Sequence, residues 1–242
     1  IYILNFTNIE TAEYNADLSS LNLVPGDVKR SPKKDDTIEY TVDNGVSAIR
    51  LTPIFANKKA AAVLSGGTLS EPISLSYGST SSAVSLGVGE NKFTLTVTSK
   101  NGQSTKAYSV VITRKEGGSS SGSSNQITVK FSLYGDTKHG DTSANHTSTA
   151  WISQKTVSVP KGSTVKYLTE MMFNNAGIDY ITDGIYISEI NGLAEKDNGP
   201  NSGWMYRQNG LIADEGYAAR KLSAGDVIKW FYTDDYTKEQ GM

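Results

Sequence analysis

Residues 198–206 are Asn-Gly-Pro-Asn-Ser-Gly-Trp-Met-Tyr, a run of turn-forming residues followed directly by a short aromatic segment. An Asn209-Gly210 pair, which is typical of a two-residue hairpin turn, comes next. A second aromatic segment, 227–232, contains Trp230 and Tyr232. This order predicts two aromatic strands, whose large side chains form either a small core or a recognition surface.

The composition of the 242 residues limits the classes of function. The absence of cysteine excludes disulfides, thiol catalysis and cysteine-type zinc sites, and it is compatible with export from a bacterial cell. The formal net charge is −2 and no apolar run reaches membrane-spanning length, so we expect neither nucleic acid as a partner nor membrane insertion. Because the chain begins at Ile1 within a strand-like run, we expect it to be a fragment of a longer protein.

A stretch rich in glycine and serine, residues 116–125, divides the chain. Such a composition predicts a flexible linker between a domain at 1–115 and a domain at 126–242. Within the first domain, residues 1–14 are expected to be the end of a preceding repeat, because Tyr2–Thr7 resembles Tyr108–Thr113.

The first half contains short runs of β-branched or alternating apolar residues, separated by glycine-containing turns. The predicted strands are Glu39–Val42, Ala48–Pro53, Ala61–Leu64, Ile73–Leu75, Lys92–Thr98 and Tyr108–Thr113. Regularly spaced short strands of this kind predict a β-sandwich. In one of them Phe93, Leu95 and Val97 alternate with threonines, which predicts one buried face.

Several landmarks of the first half occur in an order that resembles a known family. Residues 17–23 open the unit, 88–98 contain Val-Gly-Glu-Asn and the threonine-rich strand, and 108–114 close it. Residues 16–114 thereby resemble the cadherin-like β-sandwich repeat of bacterial surface proteins. The resemblance implies a spacer or adhesive module without calcium, and the sequence contains no cation loop of the Asp-x-Asp type in this half.

The second half has the pattern of an α+β domain. Predicted strands at 127–133 and 156–160, the second of which ends at a proline, precede one convincing helix, Ser163–Ala176. Further strands are predicted at 185–190, at the aromatic segment and at 226–233. Two strands, a helix and then more strands predict a β-grasp arrangement, so the chain as a whole is expected to be mainly β: an Ig/cadherin-like sandwich followed by a β-grasp-like domain with one principal helix.

The predicted helix has recognisable ends and one apolar face. Ser163 is a suitable N-cap, and Gly177 is suited to the position after the last turn. An apolar face at helical spacing is predicted to pack on the sheet. Its members are Val165, Leu168, Met172 and Ala176.

A second family resemblance covers residues 127–234. It depends on Lys161–Val165, Ile190–Leu193, 198–206 and Gly225–Trp230. These segments resemble the transcobalamin-like C-terminal domain of Gram-positive surface proteins, which is named for the small β domain of the animal cobalamin carriers. In the carriers, cobalamin lies between this domain and a large helical barrel, and residues 1–242 contain no such barrel. The resemblance implies a ligand-facing domain, with cobalamin or a similar flat molecule as a candidate ligand.

The candidate ligand-binding residues lie in and after the quoted stretch: Asn198, Asn201, Ser202, Trp204, Tyr206 and Tyr217. Trp204 and Tyr206 are two residues apart and share one face of a strand, where they form either an exposed aromatic platform or the rim of a core. The three polar residues either contact a ligand or complete the hydrogen bonds of their own turn.

Two other groups of residues are candidate chemical sites. His139 and His146, the only histidines, lie near Asp136 and Asp141, but their spacing matches no closed metal-binding pattern, so we expect no metal. Glu195 and Asp197, which precede Trp204, could suggest the paired carboxylates of a glycosidase. The domain is too small for the usual saccharide cleft, so we do not expect glycosidase activity.

No P-loop or His-Glu-x-x-His motif is present. We therefore expect a non-enzymatic module of a bacterial cell surface, extracellular and wall-associated, in which the sandwich presents the second domain to a small molecule or protein. The alternative is a carrier that binds cobalamin or a similar ligand on the aromatic edge.

Overall fold

A computed structural model describes residues 13–117, 125–135 and 149–239. Contacts within it divide the chain into two compact units, Ile1–Gly117 and Gly118–Met242. Most of the predicted linker and the segment Tyr2–Thr7 lie outside the described residues, so their assignments stay predictions. Among the described residues, no helix has the length and apolar character needed to cross a membrane.

The described part of the first unit consists of short strands. They are β1 (Leu18–Val24), β2 (Val28–Arg30), β3 (Thr37–Val42), β4 (Ala48–Phe55), β5 (Ala61–Gly66), β6 (Ile73–Ser76), β7 (Val84–Ser85), β8 (Gly89–Thr98) and β9 (Thr105–Arg114). One sheet has the order β2-β1-β4-β7 and the other β3-β9-β8-β5-β6. All pairs are antiparallel except β3 with β9, and the two sheets form the predicted sandwich.

The core of the sandwich follows from the alternation of apolar residues. In β8, Phe93, Leu95 and Val97 are buried, while the threonines between and after them are exposed or half-buried, as predicted. Two tyrosine hydroxyls hydrogen-bond to β1 from within the core. The Tyr40 hydroxyl donates to Leu21 O at 2.5 Å, and that of Tyr108 accepts from Leu18 N at 2.8 Å.

Three strands of the sandwich, β1, β2 and β7, were not predicted. In β1 the pairing with β4 shifts register between Leu18 and Ser20, so the apolar residues do not alternate regularly along the strand. β2 is exposed at every residue, and β7 contains only two residues. None of the three carries the period-two pattern on which a strand prediction depends.

The described part of the second unit contains one helix between strands. The elements are β10 (Gln126–Gly135), β11 (Thr149–Pro160), α1 (Val165–Ala176), β12 (Tyr180–Thr182), β13 (Ile187–Ile190), β14 (Leu193–Ala194), β15 (Gly203–Gln208), β16 (Leu211–Ile212), β17 (Val227–Thr233) and a 3₁₀ turn, Tyr236–Lys238. The main sheet has the order β11-β10-β17-β15-β16, and β10 pairs with β17 in parallel. The central pair of strands is parallel, and along the chain the helix α1 follows β11 and precedes β15. Both features confirm the β-grasp-like class.

The helix packs on this sheet, but its ends differ from the prediction. Thr164, not Ser163, is the N-cap, and its hydroxyl accepts from Tyr167 N; the prediction was wrong by one position because both residues are good caps. Gly177 ends the helix in the left-handed conformation with φ of 67°, as predicted. Ala176 does not belong to the buried face, since the last turn extends beyond the buried part of the helix.

Contacts from the helix to the sheet pass through aromatic residues. Phe173 lies edge-on to Phe131 of β10, with ring centroids 6.1 Å apart. The Trp230 indole on β17 donates to Thr169 Oγ1 at 2.9 Å. Val165 and Leu168 are fully buried, as predicted for the apolar face.

The Asn209-Gly210 hairpin forms as predicted, with both residues at positive φ, and it joins β15 to β16. The buried carboxylate of Asp226 fastens it from the next turn, because Oδ1 accepts from Asn209 Nδ2 and Oδ2 from Gln208 Nε2. These bonds place the aromatic residues of β15 opposite those of β17.

Candidate functional site

Strand register brings the aromatic residues of β15 and β17 together. Trp204 lies opposite Tyr232, and Tyr206 lies opposite Trp230, with centroid separations of 5.2 Å in each pair. Tyr217 reaches the same cluster from the loop after β16, with its ring 5.8 Å from that of Trp230. Three of the predicted site residues, Trp204, Tyr206 and Tyr217, are therefore neighbours.

These residues surround a cavity of about 160 Å³. It is lined by Ile185, Tyr186, Ile187, Trp204, Met205, Tyr206, Ile212, Ala213, Gly216, Tyr217 and Trp230. No lining residue carries a charged side chain, and five are aromatic. The cavity is therefore an apolar space with aromatic walls.

The polar atoms of all five aromatic residues are already hydrogen-bonded to the protein. The donors and acceptors are Trp204 Nε1 to Leu193 O at 2.8 Å, Tyr206 OH to Glu215 O at 2.5 Å, Tyr217 OH with Thr182 Oγ1 at 2.8 Å, Trp230 Nε1 to Thr169 Oγ1 at 2.9 Å, and Tyr186 OH to the Glu195 carboxylate. A ligand in the cavity would consequently meet ring atoms and aliphatic carbon rather than free indole or phenol donors.

The phenols of the cavity wall are neutral near physiological pH. Burial raises the pKa of Tyr206 to about 12. Burial, and next the hydrogen bond to Glu195, raise the pKa of Tyr186 above its ordinary value. The phenols of Tyr206 and Tyr186 therefore carry no charge near neutral pH.

The aromatic residues belong both to the core and to the cavity wall. Trp204, Tyr206 and Tyr217 are only 4%, 7% and 2% exposed. Trp204 packs in addition against Trp151, with centroids 5.6 Å apart. They do not form an exposed platform, because packing against the opposite strand and the following loop covers them. Their contribution to ligand binding stays a prediction.

The polar candidates Asn198, Asn201 and Ser202 do not line the cavity. The Asn198 side chain donates to Asp234 Oδ1 at 2.9 Å, and Asn201 O accepts from Tyr236 N. The Ser202 hydroxyl donates to Gly199 O, and its oxygen lies 2.9 Å from the Tyr232 hydroxyl. These bonds support the alternative in which the turn uses its own polar groups.

Sequence reasoning missed the part of the wall that comes from loops, above all Ile185 and Tyr186. The predicted strand 185–190 begins only at Ile187, because the Asp183 side chain accepts from the backbone N–H groups of Ile185 and Tyr186 and holds them in a turn. An aspartate two residues before an exposed apolar pair is the signal that was available for this turn.

The residues considered for other chemistry do not form a site in the described part of the chain. His139 and His146 lie outside the described residues, and within the described ranges no three His, Asp or Glu side chains are grouped as metal ligands. Asp197 accepts from Ala194 N in a tight turn, and Glu195 is bonded to Tyr186. The two carboxylates thus have structural partners.

Two family models match the chain. Residues 18–115 match the cadherin-like beta sandwich domain, which confirms the predicted resemblance of the first half. Residues 162–234 match a domain of unknown function, DUF4430, within the span of the second predicted resemblance. No curated protein matches the chain.

Three solved structures are similar to parts of the chain. Haptocorrin in complex with Cbi is 17% identical, with 50% of this chain and 27% of haptocorrin covered and a TM-score of 0.33. A candidate metal-binding protein from Ruminococcus gnavus ATCC 29149 is 12% identical, with 46% of this chain and 99% of that chain covered and a TM-score of 0.30. Drosophila N-cadherin EC1-4 is 13% identical, with 82% of this chain and 48% of that chain covered and a TM-score of 0.26.

The chain spans about a quarter of the haptocorrin that it matches. Similarity at these levels does not show that this chain binds the ligands of the three proteins. The chain is thus similar to the cadherin-like beta sandwich domain over residues 18–115 and to DUF4430 over residues 162–234.

Proposed function

We propose that the protein is a non-enzymatic binding module, in which the second unit accepts a small apolar group in the cavity bordered by Trp204, Tyr206 and Tyr217. The observation that carries the proposal is the cavity itself, an apolar space of about 160 Å³ inside an aromatic cluster. Closely packed interiors leave few spaces of this size, and aromatic-lined concavities are characteristic of ligand sites.

The size of the cavity indicates the size of the group that enters it. An engineered apolar cavity of about 150 Å³ stays dry and binds benzene or xenon. Pockets for drug-sized ligands are about 300–1,000 Å³. The cavity therefore suits a benzene-sized molecule or one protruding group of a larger ligand.

The alternative function, a carrier of cobalamin or a similar flat ligand, places most of the ligand outside the cavity. A corrin ring is far larger than a benzene-sized space, so it would have to lie across the mouth, against exposed residues such as Ile185 and Tyr186. A ligand screen that includes cobalamin distinguishes the two functions.

In the proposed function the sandwich is a spacer that presents the second unit outside a bacterial cell. The cadherin-like match and the tyrosine hydrogen bonds of its core support a rigid spacer. The cell-surface location is part of the proposal, and extraction of native cells followed by detection in the wall fraction would test it.

A thermal-shift screen of the full chain tests the binding function. The probes are benzene, short amines, aromatic amines and cobalamin. A ligand at 100 times its dissociation constant stabilises a fold by about 2.7 kcal/mol. We expect stabilisation by small apolar or amphipathic probes, and the absence of any response would contradict the proposal.

A blocking variant links the response to the cavity. Ala213→Leu places additional apolar volume at the cavity wall and should abolish the ligand response without unfolding the protein. Ala219→Leu is the matched control, because Ala219 is exposed and lies outside the lining. A response that survives Ala213→Leu would place binding elsewhere.

A further inference from the structure

The nature of the cavity wall restricts the chemistry of the group that binds there. The indole and phenol donors of the wall are engaged by Leu193, Glu215, Thr182, Thr169 and Glu195. A ligand that depends on several hydrogen bonds, such as a sugar hydroxyl cluster, would lose its bonds to water without replacement from these side chains. The group that enters the cavity must therefore be one that needs no strong hydrogen bonds from the wall.

Aromatic walls distinguish between charges as well as between shapes. The faces of tryptophan and tyrosine attract cations through the quadrupole of the ring, and the attraction strengthens when the site is removed from water. No lysine or arginine is among the lining residues, so an anion would meet no compensating charge there. A cation is the only charged group that the walls favour.

Several acidic residues are bonded to the lining residues or lie next to them in the chain. Asp183 accepts from Ile185 N and Tyr186 N at 2.9 and 2.8 Å, and Glu195 is bonded to Tyr186. Asp214 and Glu215 lie between the lining residues Ala213 and Gly216.

Arg220 opposes two of these four carboxylates, and Lys166 opposes a further acid, Glu170. Arg220 lies 3.3 Å from Asp214 Oδ1 and 3.9 Å from Glu215 Oε2. Lys166 lies 3.9 Å from the buried Glu170 carboxylate, which adds a fifth acid. The named groups are five acids and two bases, and this excess of negative charge favours a cationic ligand.

We propose that the cavity selects a methylated ammonium group, such as the head group of choline, over a neutral group of the same shape and over an anion. The inference rests on the proposed binding function and names its ligand class. A trimethylammonium group has no N–H donor, so it requires no acceptor from the wall, and its methyl surface matches an apolar space of benzene size. A primary ammonium group, by contrast, would leave three donors to be satisfied.

The test is a nuclear magnetic resonance titration of the full chain, labelled with ¹⁵N. The three tryptophans give three indole N–H signals, of which Trp204 and Trp230 report on the cavity. Trp151→Phe assigns the remaining signal by removing it. The probes are choline, its neutral carbon isostere dimethylbutanol, and the corresponding carboxylate dimethylbutyrate.

We expect choline to shift the Trp204 and Trp230 signals and to bind at least about tenfold more tightly than dimethylbutanol, with dimethylbutyrate the weakest. Equal affinity for choline and dimethylbutanol would overturn the charge selectivity but leave an apolar binding site intact. Failure of all three probes would overturn the inference, and failure of benzene as well would overturn the proposed function.

A pair of charge variants tests the contribution of the acidic surroundings. Asp214→Asn combined with Glu215→Gln should weaken choline binding about two- to fivefold at low salt and leave dimethylbutanol binding unchanged. Glu71→Gln, at an exposed position of the first unit, is the matched control and should change neither affinity. Equal weakening of both ligands would indicate altered packing and would contradict the electrostatic argument.

Discussion

The two units build their cores from different side chains. The sandwich core consists mainly of leucine, isoleucine and valine, and its buried aromatic residues are dispersed among them, for example Tyr40, Phe55, Phe93 and Tyr108. The second unit concentrates its aromatic residues in one place, where Trp204 contacts both Trp151 and Tyr232. Tyr206 and Trp230 extend the same cluster.

This difference explains why a cavity can occur in the second unit. Branched aliphatic side chains adapt to irregular spaces, whereas large rigid rings prefer offset or edge-to-face contacts and leave space where the geometry cannot be completed. The hydrogen bonds that orient each ring, such as Trp204 Nε1 to Leu193 O, keep the rings from collapsing into that space. Ring clusters thus provide stability and a preformed apolar space together.

The largest expected effect on stability is that of removing the Trp204 ring, which belongs both to the core and to the cavity wall. Trp204→Ala should destabilise the second unit by about 3–5 kcal/mol, because a buried indole and its hydrogen bond are lost. Denaturant unfolding followed by tryptophan fluorescence measures it, since all three tryptophans lie between 151 and 230. An unchanged stability would show that Trp204 is not part of the core.

The next effect concerns the helix that covers the sheet of the second unit. Leu168→Ala should cost about 2–5 kcal/mol, because Leu168 is fully buried. Ala176→Ser, at the exposed last turn, is the control and should change stability by no more than about 0.5 kcal/mol. A loss for Leu168→Ala as small as that of the control would contradict the packing of α1.

A smaller effect is expected from single hydroxyl groups. Tyr206→Phe removes the hydrogen bond to Glu215 O and should cost about 1 kcal/mol. Tyr40→Phe in the sandwich leaves the Leu21 carbonyl without its phenol donor and should cost about as much or slightly more. Urea unfolding of the two variants compares the units directly, and a gain in stability in either would contradict the assigned bond.

The pH dependence of stability distinguishes Tyr206 from a tyrosine with an ordinary pKa. In the folded chain the pKa of Tyr206 is about 12, above its ordinary value of 10, so its contribution is complete below about pH 10 and is lost as the pH rises toward 12. Tyr206→Phe should therefore flatten the loss of stability of the second unit above about pH 10. The melting temperature measured at increasing alkaline pH gives the slope of stability against pH. An identical slope in wild type and variant would contradict the raised pKa of Tyr206.

The sequence predicted those elements whose residues alternate or repeat locally. Phe93, Leu95 and Val97 predicted β8, and Asn209-Gly210 predicted the hairpin, because each signal lies within a few residues. The N-cap was misplaced by one residue because Ser163 and Thr164 are chemically equivalent there, and only the fold selects Thr164. Strand β1 was not predicted, because its irregular register with β4 breaks the alternation of apolar and polar residues.

The cavity could be predicted only in part, for a different physical reason. Trp204, Tyr206 and Tyr217 were chosen from the aromatic character of their segments, and they do meet. The ring of Trp230 neighbours those of Tyr206 and Tyr217, and its position depends on the register of β15 with β17. The position of Tyr186 depends on a turn held by the Asp183 side chain. The pairing of β15 with β17 is long-range and leaves no periodic signal in the sequence, whereas the turn at Asp183 is local and its aspartate was the available signal.

The central claim is that rigid rings border a preformed apolar space in the second unit. A crystal of the full chain exposed to xenon gas tests it most directly, because xenon enters apolar cavities of about this size without needing hydrogen bonds. The account predicts a xenon atom between Tyr206, Tyr217 and Trp230 with no movement of the rings. Ordered waters hydrogen-bonded in that space, or rings that close it, would contradict the account.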